Sequence, residues 1–564
     1  MPDTGRSTVP NSPDRRRRPA ALPKGRPVDP AAQEEVRALL GDAPRRRDGL
    51  LDALHRIQDR FGCLHVRHLA ALAAEMRLAQ TEVFEVASFY AHFDVVHEGE
   101  APPPPVSVRV CDGIACTMAG VEDMVRDLAG RLGPGVRIVR APCMGGCDHA
   151  PSATVNHTPV EPAAPDSVLA ALDGTYRVRI PAPVRFAEYR AQGGYALLGA
   201  CHDGRRTPEE VIAALEESAL RGMGGAGFPT GRKWRLVRGE PAPRHLVVNA
   251  DEGEPGTFKD RHYLETDPHR FLEGMLLAAW VIEAAEVHLY LRDEYPQARA
   301  ILHAEIATLE DAGLVAPGFI RVHRGAGAYI CGEESSMLES IEGKRPLPRH
   351  KPPFPAQVGL FGRPTLINNI ETLFWARDIV EKGAAWWGAQ GRHGRQGLRT
   401  YSVSGRVRLP GPKVAPAGIT VRELIDEFCG GMAEGHAFKA YLPGGASGGL
   451  LPASLGDLPL DFGALEPHGC FIGSAAVIVL SDKDDLRRVA LNLLRFFRNE
   501  SCGQCTPCRV GTEKAVLLLE HDPGNRAGFE ALTKVMTDAS ICGLGQAAMN
   551  PVRSILRHFP EELA

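Results

Sequence analysis

A chain of 564 residues is longer than one hydrophobic core usually serves, so roughly three to five domains are expected. Its 44% hydrophobic and 24% charged content excludes a wholly disordered or fibrous protein. Lys+Arg 65 against Asp+Glu 69 leaves a formal net charge of −4, which offers no basic field for nucleic acid.

The most apolar helix-like stretch, Gly274 to Ile282, is bounded by Glu273 and Glu283 and falls far short of the roughly 20 residues a membrane span needs. Arg15 to Arg18 are followed by no apolar run, so a secretory signal is not expected, and Asp3, Asp14 and nearby prolines count against a transit peptide. A cytoplasmic chain is expected, with its 13 cysteines as thiols or ligands rather than disulfides.

Residues 1–29, rich in Pro and Arg, read as a disordered arm. Helical stripes follow over 30–97: Val36, Leu39 and Leu40; Leu50, Leu51, Leu54 and Ile57; Val83, Phe84, Val86 and Ala87. A proline run closes this small bundle. Residues 106–175 read as a compact α/β unit, with strands over 106–110, 136–139 and 152–155 and a helix over 120–132. Residues 176–210 are expected to be a connector with some structure. Residues 211–395 form a larger α/β domain, with strands over 245–248, 287–291 and 319–322. A small mixed module spans 397–470, and helical periodicity marks 475–564. The fold class is multidomain α/β.

Eight cysteines fall into two sets. Cys502, Cys505 and Cys508 follow C-x2-C-x2-C, with Cys542 downstream, a spacing suited to a 4Fe–4S cluster. Zinc is the rival, although its sites more often pair two close doublets. Cys111 and Cys116, then Cys143 and Cys147, each follow an expected strand. Four thiolates on neighbouring loops suit a 2Fe–2S cluster, with zinc again the alternative. Cys63, Cys201, Cys331, Cys429 and Cys470 stand alone and are expected in cores.

Two clusters imply one-electron traffic and call for a two-electron partner. Gly222, Gly224 and Gly227 fit G-x-G-x-x-G, but a helix rather than a strand precedes them, so a Rossmann fingerprint is not supported. A glycine loop approaching a phosphate, with Lys233 as counter-charge, survives. The acidic loop from Asn249 through Asp251, Glu252 and Glu254, and the loop Gly325–Glu334, supply two further walls. Glutamates opening a helix also serve simply as caps.

The segments Leu220–Trp234, Asn249–Arg261, Ala328–Glu334, Lys351–Phe354 and Asn368–Thr372, with the C-terminal cysteine set, resemble the flavin- and NADH-binding subunit of complex I and its soluble relatives. Residues 30–175 resemble its thioredoxin-like 2Fe–2S neighbour, fused ahead of it. The resemblance implies a Rossmann-like FMN domain, a β-grasp module of the SLBB type and a helical cluster domain. It implies FMN phosphate on Gly222, Gly224, Gly225, Ala226, Gly227 and Lys233. Asn249, Asp251, Glu252, Tyr329, Gly332, Asn368 and Asn369 would line the flavin. Phe228, Glu254, Glu334, Lys351 and Phe354 would face NAD, with Glu333 in the same set.

Met223 and Leu236 stand where complex I subunits usually carry Arg and an aromatic residue, and the fusion and short tail after Cys542 likewise resemble the soluble relatives. The nearest resemblance is to the beta subunit of NAD-dependent formate dehydrogenases. It implies a large molybdopterin (Mo or W) partner with further iron–sulfur clusters and no direct membrane insertion. The alternatives are the diaphorase of an NAD-reducing hydrogenase, a complex I subunit, and an iron–sulfur scaffold without flavin. Hydride transfer requires no acid–base side chain, so no catalytic residue is named.

Overall fold

The computed structural model describes residues 25–178 and 182–563. The arm expected over 1–29 lies, as far as residue 24, outside the described residues. Four helices follow, Pro30–Leu40, Leu50–Phe61, Val66–Met76 and Gln80–Ala87. Asp29 starts the first by accepting the Ala31 N–H at 2.9 Å, with Pro30 fitting the opening turn. Val36, Leu54, Ile57 and Val83 are fully buried, whereas Phe84, expected on the inner stripe, is exposed.

The next domain is a four-stranded sheet in the order Val136–Ala141, Val106–Cys111, Ala153–Val155, Thr158–Val160. Its first pair is parallel, joined through the helix Val121–Arg131, and Cys111 lies opposite Ala141 in register. Both cysteine loops therefore leave the same end of one strand pair.

The stretch 176–210 is more than a connector. Its helices Phe186–Ala191 and Ala196–His202 bury Tyr189, Tyr195, Leu197 and Leu198 in the core of the following domain. That domain is built on a parallel sheet in the order Thr365–Asn369, Arg244–Ala250, Ala284–Leu291, Ile320–Arg324. The apolar stretch after Gly274 lies in the buried helix Pro268–Ile282. Gly274 lets this helix touch its neighbour Ile370–Lys382 so closely that a Cβ there would stand 2.0 Å from the Leu373 carbonyl oxygen. No helix among the described residues is long and apolar enough to cross a membrane.

A five-stranded mixed sheet follows, in the order Gly411–Pro416, Leu398–Gly405, Ala476–Ser481, Phe438–Leu442, Leu451–Pro452. Its central strand Ala476–Ser481 lies beyond the expected boundary at 470, because a fully buried apolar run belongs to the middle of this sheet. Val421–Glu423 is one short helical turn, continued by a π-turn over Leu424–Phe428. The C-terminal helices Leu486–Asn499, Thr506–His521, Arg526–Ala539 and Asn550–His558 pack on one another, and their inner faces share one hydrophobic cluster with the first bundle and the residues between them.

Candidate cofactor sites

Parallel sheets bind ligands beyond the carboxyl ends of their strands. Here those ends deliver Asn249 and the acidic loop, Arg292, the Gly325–Gly332 loop, and Asn368–Asn369 to one rim. The glycine loop joins them from the turn between the helices Pro208–Glu217 and Thr230–Arg238. It is pinned by the Gly222 N–H on the Phe228 carbonyl (2.9 Å) and the Met223 N–H on Thr372 Oγ1 (2.9 Å). Gly227 has φ +66, and a Cβ there would lie 2.6 Å from the Phe462 ring. Gly224 lies against Asn369, and Gly225 and Ala226 complete the turn.

Lys233 is the loop's cation. Its Nζ donates to the Ile367 carbonyl at 3.2 Å, and no carboxylate pairs with it among the described residues. Burial lowers its pKa. A half-buried ammonium with a carbonyl and the Phe228 ring (5.9 Å to its centroid) but no anion beside it suits an anionic group brought by a ligand, so the loop fits a phosphate.

The Asn249 amide donates to the Gly332 carbonyl (2.8 Å), while its Oδ1 accepts the Asp251 N–H (3.1 Å). Asp251 Oδ2 is buried without a hydrogen-bond partner among the described residues, and burial pushes the carboxyl up to about 8. Asn368 Oδ1 accepts the Trp234 indole N–H (2.8 Å), and Asn369 Oδ1 caps the following helix at the Glu371 N–H (3.0 Å). Tyr329 donates its hydroxyl to Glu254, whose other oxygen accepts Ser447 N–H and Oγ–H at 2.8 Å each.

Glu252 turns its carboxylate to the start of the helix Lys259–Thr266. Its carboxylate accepts the Asp260 and Arg261 N–H groups (2.9 and 3.2 Å) and the Tyr295 hydroxyl (3.0 Å). Burial, aided by Asp260, raises it to about 7. Glu333 caps the helix Glu334–Ile341 by accepting Ser335 and Ser336 N–H at 2.9 Å each. Lys351 bridges Glu333 and Glu334 (3.0 and 2.6 Å). Phe228 and Phe354 remain 39% and 54% exposed, so each presents an aromatic face to solvent beside this charged group.

The N-terminal thiols Cys111, Cys116, Cys143 and Cys147 are all buried and unpaired by disulfides. Cys143 and Cys147 Sγ stand 3.3 Å apart, too far for an S–S bond, and the Gly113 N–H is aimed at Cys111 Sγ (3.4 Å). Hydrogen bonds from Cys111 and Cys147 pull the Cys143 thiol well below its ordinary value. Four buried thiols in mutual reach, one favouring thiolate, fit a four-cysteine cluster. In the C-terminal set, Cys502, Cys505, Cys508 and Cys542 line one pocket of about 250 Å³ with Ile330 and Leu544. Gln504 Oε1 is buried there without a hydrogen-bond partner among the described residues, and burial raises Cys508 and Cys542 to about 11 and about 12. These residues fit a bound cluster better than an empty core. The five solitary cysteines are buried core residues.

Three residues at these sites carried no signal in sequence. Glu500 accepts the Tyr329 N–H (2.8 Å). Arg292 donates to the carbonyls of Glu252 and Cys143, joining the acidic loop to the N-terminal thiols. Ser447 holds Glu254. Glu500 stands two residues before Cys502 and Arg292 directly follows the strand Ala284–Leu291, but neither position says in sequence where its side chain will turn.

Known proteins agree with this arrangement. Residues 36–175 match a thioredoxin-like [2Fe–2S] ferredoxin model, residues 215–377 the Nuo51 FMN-binding domain, and residues 488–564 the iron–sulfur binding region of NADH-ubiquinone oxidoreductase-F. The chain is 42% identical over 400 residues to an NADH-quinone oxidoreductase subunit of Rhizobium meliloti, covering 68% of this chain and 95% of that one. It is 42% identical over 374 residues to the mitochondrial NADH-ubiquinone oxidoreductase 51 kDa subunit of Neurospora crassa, covering 63% and 76%. The structure of an NAD+-reducing [NiFe]-hydrogenase chain superposes with a TM-score of 0.80 at 33% identity, over 92% of each chain. The chain therefore belongs to the family of the FMN- and NADH-binding 51 kDa-type subunits, an NAD-linked flavin iron–sulfur oxidoreductase subunit with the thioredoxin-like 2Fe–2S domain fused ahead of it.

Proposed function

We propose that this chain is the diaphorase subunit of an NAD-linked formate dehydrogenase of the cytoplasm, working with a large molybdopterin subunit that carries Mo or W and further iron–sulfur clusters. The observation that carries the reading is the complete N-terminal thiol set, buried and tied through Arg292 to the acidic loop. Arg292 thus joins the N-terminal thiol set to the proposed nucleotide rim.

Bound FMN supplies exchange of a hydride with nicotinamide and of single electrons with iron–sulfur clusters. The Gly222–Gly227 main chain and Lys233 hold the phosphate. Asn249, Asp251, Tyr329, Gly332, Asn368 and Asn369 shape the flavin wall, and Glu252 acts behind it by fixing the start of the helix Lys259–Thr266. Phe228 and Phe354 offer stacking faces to the dinucleotide, with Glu254, Glu333, Glu334 and Lys351 setting charge and orientation. No side chain needs to move a proton for hydride transfer.

The likeness to the hydrogenase chain over 92% of both favours a second reading, the diaphorase of an NAD-reducing hydrogenase. Metal analysis of the native complex separates them. Mo or W with formate-dependent NADH formation supports the first, and nickel the second. A membrane complex with quinone reductase activity overturns both.

A further inference from the structure

Three side chains outside the cofactor sites meet where the first bundle, the N-terminal thiol domain and the sheet domain join. Asp59 lies near the end of the helix Leu50–Phe61, His92 follows the last bundle helix, and His157 occupies the turn between the strands Ala153–Val155 and Thr158–Val160. One carboxylate oxygen and one ring nitrogen from each histidine all lie within 4.8 Å of one another. Asp59 Oδ1 and His157 Nε2 stand 3.2 Å apart.

His92 is the informative member. Its Nδ1 lies 3.1 Å from Asp293 Oδ2, and its side chain is only 10% exposed. Asp293 is paired with Arg324 and with Arg299 (3.2 Å), so it is an ionised acceptor and His92 Nδ1 carries the proton. Nε2 is then a bare lone pair. It is buried and has no hydrogen-bond partner among the described residues, a cost that native interiors rarely leave standing. Metal-binding histidines characteristically donate their second ring N–H to a carboxylate, the arrangement His92 makes with Asp293. The Asp59 carboxylate is held in the same way, its Oδ2 accepting from Arg324 Nη1 at 2.8 Å. Thus both inner ligands have their outer partners.

We propose that Asp59, His92 and His157 form a site for a divalent transition-metal ion of the zinc type. Two imidazoles and one carboxylate are ordinary zinc donors, and three protein ligands leave a fourth position to water. His157 is half exposed on a short turn and is free to adjust the last few tenths of an ångström. A magnesium- or calcium-type ion is disfavoured, since those take mainly oxygen donors. His55 stands beside the site but directs Nε2 to the Gly325 carbonyl (2.8 Å). The ion staples the hairpin of the N-terminal thiol domain to the bundle.

The test uses the full-length holoprotein with its iron content measured, equilibrated with Zn2+. The expected result is an anomalous peak at the zinc absorption edge between Asp59, His92 and His157. Zinc affinity should fall at least tenfold in His157→Ala and in Asp59→Asn, with iron content and NADH-dependent dye reduction unchanged. Equal zinc binding by the wild type and both variants overturns the proposal. So does a peak confined to the cluster cysteines or to His245, Glu286 and His288, or the absence of bound zinc.

Discussion

The side-chain amide of Asn492 donates to the main-chain carbonyl of Asp112 across 2.8 Å, tying the helix that leads into the C-terminal cysteine motif to the residue after Cys111. The same amide reaches Thr117 Oγ1 at 3.3 Å. Asn492→Leu removes a hydrogen bond worth about 1 kcal/mol net and leaves the Asp112 carbonyl with the Thr117 hydroxyl (3.1 Å) as its side-chain donor. Amide hydrogen exchange should quicken over residues 111–117 while iron content stays constant. Unchanged exchange there would show that the two cluster domains are held together elsewhere.

Cys505→Ser should remove the C-terminal cluster, because one of its four thiolates is lost. Iron analysis and electron paramagnetic resonance should show that loss, with NADH-dependent flavin reduction retained and transfer to the partner abolished. Cys429→Ser should leave iron untouched, since that thiol is a buried core group. A full iron complement in Cys505→Ser would sink the assignment.

Lys233→Met should weaken FMN binding by roughly tenfold or more, about 1.4 kcal/mol, without weakening the FMN-free fold. The reason is that Lys233 has no carboxylate partner to lose. Fluorescence titration with FMN reads the first part and thermal unfolding of the flavin-free chain the second. Unaltered FMN affinity would move the phosphate away from this loop.

Phe354→Ala should weaken NADH binding by about 1–3 kcal/mol while FMN content changes little. The ring is 54% exposed, so the contact that matters is gained only when the dinucleotide covers it. Equal losses of both ligands would place Phe354 at the flavin instead.

The raised Asp251 carboxyl has a signed consequence for stability. Its folded value of about 8, set by burial, lies above its unfolded value near 3.8, so the folded chain binds the extra proton. Stability is therefore undiminished below about pH 4 and lost progressively as pH rises towards 8. In flavin-free protein, Asp251→Asn should match the wild type near pH 4 and exceed it in thermal midpoint by pH 8. A difference independent of pH would show that Asp251 is not the group titrating.

Much of this was legible in sequence because spacing carries it. The cysteine sets, the glycine loop and the strand ahead of Asn249 announce themselves by local pattern. The helix Val66–Met76 did not, because its alanine-rich run is buried over most of its length and offers few polar positions. The strand Thr365–Asn369 is short and ends in two asparagines, residues that strands usually avoid. Ala476–Ser481 is apolar up to its last residue, and such a run does not say which neighbours it will find. Glu252 is the clearest case at the site. Its place in the acidic loop is visible, but the turn of its carboxylate towards Asp260 and Tyr295 depends on chain that returns from elsewhere.

The contact at Gly274 constrains how this sequence can be recombined. Where a Cβ would stand 2.0 Å from the Leu373 carbonyl oxygen, one helix is shaped to the main chain of the other, and close-packed interiors do not absorb such a mismatch. A crossover placed between residues 282 and 370 would join helices from two parents that had never been fitted to each other. The segments 268–282 and 370–382 are thus inherited as one block, although 87 residues of chain separate them. Chimaeras that respect this block should fold more often than those that cut it, even at the same overall identity.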